Sequence, residues 1–303
     1  MATTSAAADQ FDFDEIHQAV SRLRDKQVFF IGGAPKSGTT WLQLLLNAHP
    51  EISCGGEGHY ADRLFPILSK ALRAHNSSIE YKNKSIFDGV EGHPLFTNRH
   101  VCYLATSAMS LMLSHPAKAA TTSIVGDKTP DNVRFFPLMA VLFPRARFIH
   151  IVRDGRDCAV SAWFHNMRID AASLTRQYPS LGAFTDYFAQ VWVDNVSQGA
   201  RFAAAQPARC LSIRYEDLIQ SPLPMLGHLF RFLGASSEPG ILQTCAAAAD
   251  FTRYSGGRPR GEEDRSSFFR RGTPGDWRAH LEPQAELSFR NKVGPWMTGF
   301  RYQ

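Results

Sequence analysis

Apolar and polar positions change period several times along the chain, and the changes divide it into alternating elements. Val28, Phe29, Phe30 and Ile31 form a continuous apolar run entering Gly32-Gly33, the pattern of a parallel strand buried on both faces. Residues 39–48 then read as a helix, giving strand, loop, helix. Further apolar runs at 123–126, 147–152 and 210–213 are separated by helical stretches such as 132–143 and 184–204. A helix carrying Val160, Ser161 and Trp163 follows the third run. Strands alternating with helices predict an α/β fold with a central parallel sheet flanked by helices on both faces.

The remaining segments refine that outline. Residues 222–233 read as a helix whose Met225, Leu226, Leu229, Phe230 and Leu233 line one core-facing side. Residues 13–24 place Phe13, Ile16, Val20 and Leu23 at helical spacing behind a loose tail at 1–8. The expected division is a tail and short helix at 1–26 and one domain at 27–303. The stretch 254–276 interleaves glycines and prolines with Arg258, Arg260, Arg265, Arg270 and Arg271, and reads as a long basic loop of the kind that carries function.

Composition changes this picture little. With 303 residues, 44% hydrophobic and 20% charged, the chain buries a core, and a net charge of +5 fits an anionic ligand without demanding one. Five scattered cysteines form no CxxC pair or Cys/His cluster, so reduced thiols and no metal site are expected. The first ten residues lack the pattern of a signal peptide, and no run approaches 18 apolar residues, so a cytoplasmic protein without a membrane span is expected.

The strongest chemical signal is Gly32-Gly33-Ala34-Pro35-Lys36-Ser37-Gly38-Thr39-Thr40-Trp41, between the first strand and the first long helix. Such a turn aims backbone N–H groups and a helix N-terminus at one spot, and Lys36 adds a full charge. A nucleoside-triphosphate loop would place lysine directly after the last glycine, whereas Lys36 precedes Gly38 by two residues. Asp154 stands where a metal-holding acid could sit, but Arg153 beside it argues against a dedicated metal site.

The segment Pro35-Lys36-Ser37-Gly38-Thr39-Thr40-Trp41 resembles the 5'-phosphosulfate loop of the sulfotransferases that use 3'-phosphoadenosine-5'-phosphosulfate (PAPS). Two further segments match in the expected order. Arg153 and Ser161 occupy the positions that bind the donor's 3'-phosphate in that family, and Phe269-Arg270-Arg271-Gly272 resembles its Arg-Lys-Gly segment, with Arg271 in place of lysine. The resemblance implies a P-loop NTPase-like fold and PAPS as sulfuryl donor, with no metal required. It also implies that Tyr215 contributes to the nucleotide site, and Trp41 and Phe251 are candidates for stacking on adenine. Lys36 and Lys128 are the candidates for stabilising the leaving group.

Three residues are candidate bases: Glu57, His59 and Asp127. The small-molecule branch of the family places a histidine near residues 126–130, and this chain has none there. Glu57 aligns instead with the catalytic glutamate of the tyrosylprotein and glycan-type branches, while His59 falls where the tyrosylprotein branch has arginine. Transfer to a hydroxyl or amine of a small molecule, glycan, lipid or peptide is therefore expected, with the acceptor pocket near residues 57–67, 75–115 and 165–178. No nucleic-acid partner is expected, and a homodimer is allowed. The competing readings are a P-loop phosphoryl transferase such as a kinase, and a non-enzymatic nucleotide- or RNA-binding protein using the basic loop.

Overall fold

The computed structural model describes residues 13–87, 92–114 and 122–303. Its centre is a sheet of five parallel strands, β1 (Gln27–Gly32), β2 (Ile52–Gly55), β3 (Ile124–Lys128), β4 (Arg147–Val152) and β5 (Cys210–Arg214), in the order β2-β3-β1-β4-β5. Phe30 is in register with Asp127 of β3 and Phe148 of β4, so β1 lies at the middle of the sheet. The tail at 1–8 lies outside the described residues.

Helices cover both faces, in chain order α1 (Phe13–Arg22), α2 (Thr39–Asn47), α3 (Phe65–Ser85), α4 (Asn98–Ser114), α5 (Asn132–Leu142) and α6 (Gly155–Gln177). They continue as α7 (Leu181–Ala205), α8 (Tyr215–Gln220), α9 (Pro222–Leu233), α10 (Pro239–Ala248), α11 (Phe251–Tyr254) and α12 (Pro283–Gly299). Successive strand residues point to opposite faces. Phe29 and Ile31 pack with Leu42 and Leu45 of α2 and Phe230 of α9, whereas Phe30 packs with Phe136 of α5 and Phe202 of α7. An apolar run without alternation is therefore what a strand covered on both sides requires. A third cluster joins α6, α7 and α12 through Ala159, Trp192 and Phe289.

The four expected strands are present, and β2 is an addition. Its four residues include the buried polar Ser53 and make no continuous apolar run. The helix expected at 13–24 ends at Arg22 and passes into a 3-10 turn, Leu23–Asp25, whose Leu23 joins the core beside Val28. The helix expected to start at 184 begins at Leu181, because the Ser180 hydroxyl accepts from Ala183 N at 3.2 Å and caps it. Among the described residues, no helix is long and apolar enough to cross a membrane. Of the five cysteines, all but Cys102 are buried.

Candidate active site

Because the five strands run parallel, their carboxyl ends share one edge, and Lys36, Glu57, Lys128, Arg153 and Tyr215 all lie at or just beyond it. The loop leaving β1 passes too close to its neighbours for side chains. A Cβ on Gly32 would lie 2.3 Å from the Val133 backbone nitrogen, and one on Gly33 2.3 Å from the Ile151 carbonyl oxygen. Lys36 (φ 67°) and Gly38 (φ 97°) then adopt left-handed conformations, and α2 starts at Thr39 without a side-chain cap. Its first N–H groups are left for an anion.

Lys36 rests over the Phe268 ring at 4.6 Å, and its pKa is lowered to about 8 by burial and then by Arg153 and Arg168. Arg153 is buried, donates to the carbonyls of Lys36 (3.3 Å) and Thr273 (3.4 Å), and lies 4.5 Å over the Tyr215 ring. Its Nε has no partner among the described residues. One guanidinium thus bridges the β1 loop and the basic loop, and Ser161 lines the same cleft.

The basic loop closes over this region. Tyr215 donates to the Gly272 carbonyl at 3.4 Å, and the left-handed Gly272 (φ 74°) sits where a Cβ would strike the Phe251 ring at 2.5 Å. Arg271 and Arg270 both reach Asp276, and Arg270 also reaches Glu263. Arg270, with a 9% exposed side chain, is thereby committed to carboxylates, while the Arg271 side chain is 33% exposed and nearer to availability for a ligand. Asp157 ties the loop to α6: its buried carboxylate accepts from Gly275 N (2.7 Å) and Trp277 N (3.0 Å) and faces Arg153 at 3.8 Å. Arg156 is buried as well, held by Asp154 at 2.8 Å and Glu286 at 2.7 Å. Arg156 and Asp157 are thus both buried in networks that fix α6 and the basic loop, and Asp154 serves as the cap of α6.

On the other side of Lys36 lies the loop after β2. The nearly half-exposed Glu57 accepts from Lys128 Nζ at 2.8 Å, and the same nitrogen reaches Thr40 Oγ1 at 3.4 Å. His59 Nε2 lies 3.7 Å from the second Glu57 oxygen, while His59 Nδ1 pairs with Asp62 at 2.8 Å. Asp127 does not fit the part of a base. It is 1% exposed and accepts from Gly58 N (3.0 Å), Thr129 Oγ1 (2.9 Å) and Asn132 Nδ2 (2.9 Å), so its oxygens hold the Glu57 loop and face no acceptor.

Lys36, Thr40, Glu57, Arg153, Tyr215, Arg270 and Arg271 border one cleft of about 470 Å³, whereas Lys128 and His59 touch Glu57 without lining it. The profile described as the Sulfotransferase family matches residues 28–239, most of the chain. The chain belongs to the sulfotransferase family. It is 24% identical over 257 residues to the Protein-tyrosine sulfotransferase of Drosophila melanogaster, covering 84% of this chain and 46% of that one. It is 27% identical over 246 residues to Protein-tyrosine sulfotransferase A of Caenorhabditis elegans, covering 78% and 59%. This sulfotransferase-family chain thus spans about half the length of the curated relatives it matches. Among solved structures, mouse sulfotransferase SULT7A1 complexed with PAP shares the fold at a TM-score of 0.57, with 18% identity and coverage of 94% and 89%. Sulfotransferase STF9 of Mycobacterium avium gives 0.56 with 13% identity, covering 95% and 80%.

Within this family member the cleft brings together Lys36, Gly38, Thr39, Thr40, Trp41, Glu57, Arg153, Ser161, Tyr215, Phe251, Arg270, Arg271 and Gly272. Ser37 is fully buried within the loop and does not line the cleft, and its hydroxyl has no partner among the described residues. Of the stretches expected to form the acceptor pocket, 75–115 does not border the cleft among its described residues, whereas His165 and Asn166 do. The wall expected from 75–115 is supplied by α7, through Phe184, Tyr187, Phe188 and Val191. Their i, i+3, i+4, i+7 spacing is also that of a helix face packed on a core, which hid the role. Arg260 was missed too. It donates to the Gly272 carbonyl at 2.8 Å and lies 4.8 Å over Trp41 and 5.2 Å over Phe251. His165 is kept neutral, its pKa lowered to about 4 by burial and then by Lys36 and Arg168.

Proposed function

We propose that this chain transfers a sulfuryl group from PAPS to an acceptor hydroxyl, with Glu57 as the base. The observation that carries the reading is Lys128, whose single ammonium joins Glu57 at 2.8 Å to Thr40 of the phosphate loop at 3.4 Å. A base and an anion site linked by one cation suit a transfer in which a proton leaves one side as negative charge grows on the other.

The residues present fit the donor. The uncapped N-terminus of α2 with Lys36, Thr39 and Thr40 suits its 5' end, while Arg153, whose Nε has no partner among the described residues, suits the 3'-phosphate with Ser161, Arg271 and Gly272. Trp41 and Phe251, with Arg260 above them, suit a flat base between aromatic and guanidinium planes. When bound, PAPS supplies the sulfuryl group. Glu57 accepts the acceptor's proton, and as its charge is lost its hold on Lys128 weakens. That frees the ammonium for the growing charge at the Thr40 side, where Lys36 already stands.

The acceptor we favour is a phenolic hydroxyl, first of all tyrosine in a peptide. Phe184, Tyr187, Phe188 and Phe268 give the cleft an aromatic wall suited to a phenol ring. The protein-tyrosine sulfotransferases among its relatives support the same choice. The test is transfer from labelled PAPS to a tyrosine peptide, with sugar, lipid and amine acceptors in parallel, and calorimetric titration with 3'-phosphoadenosine-5'-phosphate (PAP). Glu57→Gln should bind PAP as the parent does and lose most turnover. Failure to bind PAP, or strict dependence on ATP, would refute the reading.

A further inference from the structure

Glu57 must lose the proton it takes before the next turnover, and the neighbourhood of its second oxygen supplies a route. His59 is one of few non-glycine residues with positive φ (48°) among the described residues. Its backbone nitrogen donates to Thr129 Oγ1 at 3.5 Å, and its carbonyl accepts from Arg63 N at 3.2 Å and Leu64 N at 3.1 Å. A π-helical turn, Tyr60–Leu64, follows directly and returns Asp62 to the ring. Left-handed backbone at a side chain this size persists only where the surroundings fix it. Here the imidazole is fixed between two carboxylates.

We propose that Asp62, His59 and Glu57 form a proton relay that resets the base, an inference that rests on the reading of Glu57 given above. Asp62 accepts from His59 Nδ1 at 2.8 Å, which sets the tautomer whose Nε2 lone pair faces Glu57 Oε2 at 3.7 Å. A small side-chain rotation or one bridging water closes that gap. The acceptor's O–H bond breaks as the Glu57 carboxyl O–H forms. That bond breaks in turn as N–H forms on His59 Nε2, and the imidazolium, paired with Asp62, releases the proton to solvent through its quarter-exposed face. Each group ends the cycle in the charge state in which it began.

Other charged groups face the same ring or its partners. Lys128 holds the opposite Glu57 oxygen, Arg63 approaches Asp62 at 3.8 Å, and Asp131 lines the cleft near Asp62 and Arg134. Burial, and then Asp62, pushes the Asp131 carboxyl up. Because Asp131 also lines the cleft beside Glu57, it is the competing proton carrier, and the test includes it.

The experiment compares His59→Gly, Asp62→Asn, Asp131→Asn and Glu57→Gln in steady-state turnover, with PAP calorimetry confirming a folded donor site in each. Glycine suits the left-handed backbone at 59 and leaves a hole the size of the ring. The expected result is that His59→Gly and Asp62→Asn lower kcat by roughly ten- to a hundredfold, near the low end of what positioned acid–base groups contribute. KM for PAPS should be unchanged, and imidazole added to the assay should restore His59→Gly alone. Normal kcat in both variants with an inactive Glu57→Gln overturns the relay and leaves the base standing. Loss without imidazole rescue, accompanied by an equal loss in Asp131→Asn, also overturns it. Near-normal turnover by Glu57→Gln removes both the base and its relay.

Discussion

Raising the pH through 8 should strip the charge from Lys36 in the free chain and make donor binding consume a proton. Burial, then Arg153 and Arg168, bring this lysine from 10.5 to about 8. An anionic ligand offsets this by placing negative charge beside the ammonium, opposing the two arginines. If the complex returns Lys36 from about 8 to its ordinary value, the charged form gains about 3 kcal/mol, at about 1.36 kcal/mol for each tenfold change in proton affinity. Affinity for PAP should then fall about tenfold per pH unit above 8, and at pH 9 binding should take up roughly 0.9 proton. The unliganded protein moves the other way. Its unfolded state binds the extra proton between about 8 and 10.5, so stability rises with pH across that window. The assay is PAP calorimetry at several pH values in buffers of different ionisation heat, repeated on Lys36→Met. A parent protein with no proton uptake at pH 9, or a Lys36→Met variant that keeps it, would refute the reasoning.

Three other perturbations separate parts of the site. Gly38→Ala puts a Cβ 2.5 Å from the Tyr215 ring at φ 97°, so thermal melting should show a loss of at least about 1–2 kcal/mol and calorimetry at least a tenfold loss of PAP affinity. Asp157→Asn should cost about 2–4 kcal/mol and weaken PAP binding, because Arg153 loses its buried partner and the basic loop its tie to α6, while Asp127→Asn should lower kcat with PAP affinity largely kept. Calorimetry and turnover on the two variants should split in that way. Arg260→Ala should weaken PAP about five- to twentyfold and leave ribose 3',5'-bisphosphate, which lacks the base, unaffected in a competition assay.

The fold was legible where burial is symmetrical. Strands such as β1 and β4 are apolar on both faces, so their runs stand out against helices that alternate with polar residues. β2 did not stand out, because an edge strand of four residues needs only Ile52 and Cys54 in the core and leaves Ser53 between them. The helices α3 and α4 were missed for a related reason. They carry exposed Ile67, Tyr81, Tyr103 and Met112, so apolar residues on these helices do not mark one buried side.

The site was legible where a charge meets a ligand and illegible where a charge meets the backbone. Lys36, Glu57 and Arg153 announce themselves through glycine-rich or strand-end settings, and all three reach the cleft. Asp127 and Asp157 have equally suggestive positions, yet each is turned inward to accept N–H groups from a distant loop, Gly58 in one case and Gly275 with Trp277 in the other. Sequence spacing cannot separate these roles, since the partners lie 69 and 118 to 120 residues away. The division has a physical logic. The sheet edge supplies fixed points for the phosphate loop and Arg153, but the base loop leaves the short edge strand β2 and the basic loop has no strand of its own at the cleft. A buried carboxylate that accepts backbone N–H groups is a rigid tether for such loops, and its burial is affordable because those N–H groups, with Asn132 and Thr129 or with Arg153, satisfy it. Donor grip and proton transfer are consequently anchored by different acids, which is why they should fail separately.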